Sequence, residues 1–211
     1  MKAKKSVAAL ARCFSLAVCA CVIQAVAMAQ SWVPFVGTQE VTIYKLLPVG
    51  KQVVSQTRSV YMRNLDGSVY TRNLPVRGLP ADANLGARLM DARTGKTYTI
   101  SYANKSATLV HAISDAGSLP MRPSTSAAPK GGVPLGEKVV GGVQCVGWRI
   151  VESLGRTQEI WRASSLNNFP VSAKITDTVQ QEEVDLNMVS IEPGTVPEAQ
   201  YFQIPKDFTV R

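Results

Sequence analysis

Residues 135–179, LGEKVVGGVQCVGWRIVESLGRTQEIWRASSLNNFPVSAKITDTV, decide the fold. Two apolar runs, 139–151 and 158–163, flank the turn Leu154-Gly155-Arg156. In the first run Val139, Val143, Cys145 and Val151 share one parity, and Val140, Val146, Trp148 and Ile150 share the other. Both faces are thus partly apolar, as in a strand buried on one side and partly covered on the other. Gly141, Gly142 and Gly147 interrupt the run, and glycine inside a strand marks a bulge, a bend or a close backbone approach. The reading is one long, strongly curved strand in a hairpin with 158–163. An irregular crossing, 164–170, leads to a third strand at 171–176, which alternates cleanly and so has one wet face.

Outward from this stretch, the N-terminus reads as an export signal. Lys2, Lys4, Lys5 and Arg12 form a basic start, residues 8–26 are mostly small and apolar, and Ala27-Met28-Ala29 fits the small-x-small cleavage rule. Cleavage after Ala29 leaves a mature domain, 30–211, in the periplasm or outside the cell. Two alternatives stand beside this. One is an uncleaved membrane anchor. The other is lipidation at Cys19, since Leu16-Ala17-Val18-Cys19 resembles a lipobox with Val in place of the usual small residue. Cys13, Cys19 and Cys21 leave with the signal, so the mature chain keeps Cys145 alone and makes no internal disulfide. No second hydrophobic span follows, and the mature chain is not expected to cross a membrane. Removing 29 of 211 residues leaves 182, enough for one sizeable core.

The charge excludes one class of partner. The full chain carries +8, the signal holds four cations and no acid, and the mature chain is therefore +4. That is too little for a nucleic-acid-binding protein, and export argues the same way. The charge is uneven: between residues 58 and 96 there are seven cations against three acids, and between 137 and 207 six cations against ten acids. A basic first half could meet an anionic surface or partner. The plainer reading makes these arginines the solvated face of ordinary strands.

The first half alternates like short antiparallel strands. Residues 39–45, 52–62, 68–72, 87–91, 96–102 and 106–113 read as strands, with turns at 47–51, Asp66-Gly67, Arg93-Thr94-Gly95 and 103–105. Residues 73–86 read as a loop. Residues 114–134 hold four prolines and no apolar period, so they are expected to form a long flexible loop. Residues 183–191 are the last long strand, 197–202 one helical turn, and 203–210 an extended end. No long amphipathic helix is expected. The fold class is mainly β, an antiparallel meander rather than βαβ units.

Few residues suggest chemistry. His111 is the only histidine, and with Cys145 it would make a base and a thiol nucleophile. The adopted reading is a strand-end histidine and a buried small thiol, because no third orienting group is apparent. One histidine and one cysteine cannot build the usual zinc sets, and Glu182, Glu183 and Asp185 lack calcium-loop spacing. No glycine pair is followed by a phosphate-cradling helix. No catalytic residue, metal or cofactor is therefore expected. Trp148, Trp161, Met188, Tyr201 and Phe202 remain as candidates to line an apolar, ligand-binding hollow, with closed-core packing as the alternative. A sheet with one apolar face and no long helix to cover it must hide that face behind a ligand, a loop or a partner.

Three segments carry a resemblance. Met90-Asp91, Gly95, Tyr98, Ile100, Lys105 and Ala107 look like a "D-P-x-x-G-x-x-Y-x-L" hairpin with a trailing Lys, with Ala92 in place of Pro. Leu135-Gly136, Gly142-Val143, Gly147, Arg149 and then Trp161 look like "L-G-x-x-x-I-x-G-V-x-x-x-G-x-R" leading to a Trp strand. Residues 202–208, FQIPKDF, are similar to a terminal "L-F-x-V-P-x-D-Y". The chain thereby resembles exported bacterial proteins related to the outer-membrane lipoprotein carrier (LolA-like) superfamily. The resemblance implies one antiparallel sheet curled into a half-barrel, with short helical or loop segments across it, and a hollow that in the carriers holds acyl chains. The expectation is a periplasmic, non-enzymatic protein that binds an apolar ligand such as an acyl chain or the lipid of a lipoprotein. The alternative is an envelope interaction or sensor module with a closed core and a protein partner.

Overall fold

Hairpin follows hairpin along this chain, and in the computed structural model they join into one sheet. The structure describes residues 32–75, 86–110, 128–153 and 155–211. The export signal, His111 and most of the 114–134 loop lie outside the described residues. Twelve strands are present: β1 (Phe35–Leu47), β2 (Gly50–Arg63), β3 (Val69–Asn73), β4 (Ala87–Asp91), β5 (Lys96–Ser101), β6 (Ser106–Val110), β7 (Val133–Val140), β8 (Val143–Ser153), β9 (Arg156–Ala163), β10 (Phe169–Asp177), β11 (Glu182–Pro193) and β12 (Thr209–Val210). Their order across the sheet is β12-β6-β5-β4-β3-β2-β1-β11-β10-β9-β8-β7. The sheet is open, since β12 and β7 stand at opposite edges. This is the mainly β, single-sheet class expected from the sequence.

Three details differ from that expectation. The run 139–151 is not one strand. Gly141 and Gly142 take φ values of 58° and 87°, a left-handed pair that turns the chain between β7 and β8. The end of the supposed flexible loop, Val133 and Pro134, is accordingly the start of β7. The sheet is also not wholly antiparallel, because β12 pairs with β6 in parallel. Antiparallel neighbours can be joined by tight turns, whereas β12 arrives only after the chain has crossed from β11.

Two 3-10 turns, Ser164–Leu166 and Ala199–Phe202, are the helical segments. Among the described residues there is no α-helix. The core divides in two. Phe35, Tyr61, Leu166, Phe169, Leu186, Met188 and their neighbours form one cluster. Tyr70, Leu89, Ile100, Ala107 and Phe202 form the other, over β3–β6.

Arg63, at the end of β2, is fully buried inside the first cluster. Its Nε and Nη2 donate to the Val33 carbonyl at 2.9 and 2.7 Å, and Nη2 also donates to the Leu166 carbonyl at 3.1 Å. The guanidinium lies over the rings of Trp32, Phe35 and Phe169, at 4.8 to 5.1 Å. Asn167 completes the link by accepting a hydrogen bond from the Val33 N–H at 2.9 Å. Arg63 therefore ties the start of β1 to the crossing between β9 and β10. Replacing Arg63 with Ala orphans two carbonyls and opens a void, which should lower the unfolding free energy by roughly 3 kcal/mol. Arg63→Lys should fall between, having lost the planar fork. Urea unfolding of the three proteins checks this, and a loss of under about 1 kcal/mol for Arg63→Ala would contradict the assignment.

Candidate functional site

The strand registers assemble an apolar face from residues far apart in sequence. Trp148 on β8 stands opposite Ile160 on β9, Ile160 opposite Ala173 on β10, Ala173 opposite Leu186 on β11, and Leu186 opposite Val41 on β1. Residues directly opposite share a side of the sheet, so these five form one row. Two residues along each strand a second row runs Ile150, Gln158, Ile175, Val184 and Ile43. Ile160, Ala173 and Leu186 are buried, at 2, 4 and 3% exposure, while Trp148 and the second row are half-buried. At the β1 end, Ile43 also lines a pocket of about 260 Å3 with Val54, Lys45 and Gln181.

Between these two rows, the intervening residues point to the other side and are polar. Arg149, Glu159, Lys174, Asp185 and Thr42 follow one another in register there. Arg149 pairs with Glu159 at 2.7 Å. Glu183 sits between Lys51 at 2.7 Å and Lys174 at 3.3 Å. β8 to β11 and β1 thus separate an apolar side from a charged one by period-2 alternation.

The five sequence-chosen residues do not meet in one place. Trp148 and Met188 belong to the apolar side, since Met188 continues the parity of Val184 and Leu186 on β11. Trp161 stands opposite Gly147 and Ser172, with the parity of Glu159, and packs against the first core cluster. There its ring covers Gly147, where an added Cβ would lie 2.5 Å away, and carries the Lys138 ammonium at 4.0 Å. Tyr201 and Phe202 pack on the second cluster over β3–β6, with Tyr201 5.4 Å from the Tyr70 ring. Ile160, Ala173, Leu186 and Val41 are the residues that type alone did not single out; their signal lies in the register.

Other chemistry is scarce. Cys145 is 1% exposed, donates to the Val143 carbonyl at 3.2 Å, and burial pushes its thiol above the ordinary range. A thiol in that state is a poor nucleophile. Its supposed partner His111 lies outside the described residues. Among the described residues no group of three or more His, Cys, Asp and Glu side chains could hold a metal ion. The arginines of the first half are not a uniform solvated face. Arg63 is buried, Arg58 reaches Glu40 at 3.5 Å, Arg93 reaches Asp66 and Asp91, and Arg72 lies over the Tyr102 ring at 4.9 Å.

No protein-family model and no curated protein matches the sequence. Solved structures do match. MucB aligns over 86% of this chain and 61% of its own, at 16% identity and a TM-score of 0.53. The Pseudomonas aeruginosa MucA/MucB complex aligns over 88% and 60%, at 17% identity and 0.50. LolA superfamily proteins are among the structural neighbours. One is NE2245 from Nitrosomonas europaea, covering 82% of this chain and 90% of that one at 14% identity and 0.34. The chain spans about 60% of the MucB chains it matches. At these identities the likeness is one of fold. No helix among the described residues is long and apolar enough to cross a membrane.

The charged side gives a pH test. Burial pushes the Glu183 carboxyl up, but Lys51 and Lys174 outweigh it, and its pKa ends below the ordinary 4.5. The unfolded chain then binds the proton more readily than the folded one. The stabilisation is fully present above about pH 4.5 and is lost as pH falls through the depressed folded value. Urea midpoints measured from pH 6 to pH 3 should fall more steeply for the native protein than for Glu183→Gln. Parallel curves would contradict the assignment.

Proposed function

We propose that the mature protein is a periplasmic, non-enzymatic binder of an acyl chain, such as the lipid part of a lipoprotein, released from its signal after Ala29. The observation that carries this reading is the apolar row Trp148–Ile160–Ala173–Leu186–Val41, backed by a second row and crossed by no α-helix among the described residues. The half-buried members of the two rows, Trp148, Val41, Ile150, Ile175, Val184 and Ile43, keep the apolar surface that an alkyl chain would remove from water, at roughly 25 cal/mol per Å2. The sequence resemblance to lipoprotein carriers supports the same ligand class. Neither the described residues nor the sequence offers a nucleophile, base and orienting group in one place, which favours binding over catalysis.

A second reading has one specific observation behind it. MucB, which matches this chain in fold, was solved in complex with MucA(peri). In that reading the protein is an envelope interaction module whose apolar side is closed by a protein partner.

Native mass spectrometry of the mature protein from the periplasm, followed by organic extraction, tests the first reading. The expected result is a reproducible added mass that extracts as a lipid. A bare chain at its calculated mass that takes up no added fatty acid would overturn it.

A further inference from the structure

Large apolar side chains stand in solvent at one end of the sheet. Among the described residues twelve large hydrophobics are exposed, and six of them belong to three hairpins. Leu47, Val49, Val53 and Val54 come from β1–β2, Val151 from β8–β9, and Val179 from the turn between β10 and β11. Their exposures run from 39% for Leu47 to 95% for Val49. The strand order β2-β1-β11-β10-β9-β8 sets these hairpins side by side.

Backbone hydrogen bonds stitch the three ends into one rim. The Leu46 N–H donates to the Gln181 carbonyl at 2.8 Å, and the Thr178 N–H donates to the Gly155 carbonyl at 2.8 Å. Gly155 lies so close to its neighbour that an added Cβ would stand 2.9 Å from a Val179 methyl. The Asp177 carboxylate accepts from the N–H groups of Val179 and Gln180 at 3.0 and 2.8 Å, which fixes that turn. Charge around the rim is balanced. Lys51 reaches Glu183 at 2.7 Å, Arg156 reaches Glu152 at 2.8 Å, and Lys45 stands opposite Glu182 in register.

Exposed apolar side chains ringed by polar ones mark a contact with a membrane or with a protein. The number and shape of these decide between the two. A stable protein interface takes roughly 20–30 residues a side, packed to a complementary surface. Here six side chains project from separate hairpin ends, and fluid lipid needs no complementary surface to receive them. Val54 also lines the pocket of about 260 Å3 with Ile43, so apolar surface continues from the rim into the sheet. We propose that this rim is a membrane-docking surface, in which Val49, Val151 and Val179 enter the hydrocarbon boundary of a phospholipid bilayer. The paired charges stay among the headgroups, and the contact needs no anionic lipid. The rim is read from exposed side chains, and it goes beyond the acyl-binding reading without depending on it.

Co-sedimentation of the mature protein with vesicles of dioleoylphosphatidylcholine tests the rim. The native protein should sediment with the vesicles. Raising the salt to about 0.5 M should leave the bound fraction within about twofold, because salt screens charges and not apolar contact. Val49→Asp/Val179→Asp should weaken partitioning at least about tenfold, the ratio that corresponds to about 1.4 kcal/mol of lost valine burial. Val139→Asp changes a valine that is 64% exposed beside the β7–β8 turn, at the other end of the sheet, and should partition like the native protein. Native protein that stays in the supernatant would overturn the rim, even if it takes up fatty acid. Equal partitioning of the rim and Val139 variants would overturn it as well. A solution dimer that Val49→Asp/Val179→Asp dissolves, without vesicle binding, would replace the bilayer with a second copy of the chain. If the double variant does not fold, a nitrobenzoxadiazole label on Val49→Cys decides, since Cys145 is 1% exposed and escapes labelling. Its emission should shift to the blue with vesicles while the same label on Val139→Cys does not respond, and equal shifts would overturn the proposal.

Discussion

The structure depends on a buried cation that has no carboxylate partner among the described residues. Arg63 gives its fork to the carbonyls of Val33 and Leu166 and its faces to Trp32, Phe35 and Phe169. Burying a charge is costly, and that cost shows as a pKa lowered to about 10. The guanidinium suits the position because it is more weakly hydrated than an ammonium and meets carbonyls and aromatic faces at once. What the arrangement secures is geometry. Leu166 belongs to the crossing between β9 and β10, where Asn167 and Asn168 take left-handed φ values of 58° and 53°. Val33 leads directly into β1. Fixing these two segments to each other fixes the place of β9 and β10 beside β11 and β1.

From that junction the sides of the sheet follow. β11 pairs with β1 and β10, and each register passes the alternation of one strand to the next. Hydrocarbon collects on one side as Ile160, Ala173, Leu186 and Val41, and charge on the other as Arg149, Glu159, Lys174 and Glu183. The β7–β8 turn adds a constraint at the far end, where the Ile191 N–H donates to the Gly141 carbonyl at 3.0 Å. β11 has run past the end of β10 there, and the turn supplies the partner its edge lacks. A side chain at Gly141 would meet the Met188 carbonyl at 2.8 Å, so the close approach needs glycine as much as the left-handed φ does.

The sequence made the class of fold and most hairpins legible, because Asp66-Gly67 and Arg93-Thr94-Gly95 punctuate alternating runs with the residues those turns require. Gly141-Gly142 carries the same turn chemistry, yet it lies between valines on both sides, and without polar punctuation it reads as a kink within one strand. The site was less legible for a sharper reason. β8 ends at Ser153, opposite Arg156, and an unbroken register from that pair would set Trp148 directly against Trp161. A register shift between Val151 and Ser153 moves the pairing by one residue. One residue of slip transfers a side chain to the other face, so Trp148 meets Ile160 and Trp161 meets Gly147. Aromatic type cannot report that slip. Tyr201 and Phe202 depend on a different long-range fact, that the C-terminal turn packs on β3–β6.

The proposed acyl-binding reading puts the chain on the side of Trp148 and Ile160, away from Trp161. Brominated fatty acid quenches tryptophan fluorescence only at contact distance, and it can be titrated into Trp32→Phe/Trp161→Phe and Trp32→Phe/Trp148→Phe proteins. The account predicts strong, saturable quenching when Trp148 is the remaining indole and little when Trp161 remains. Quenching of Trp161 with Trp148 unaffected would contradict it.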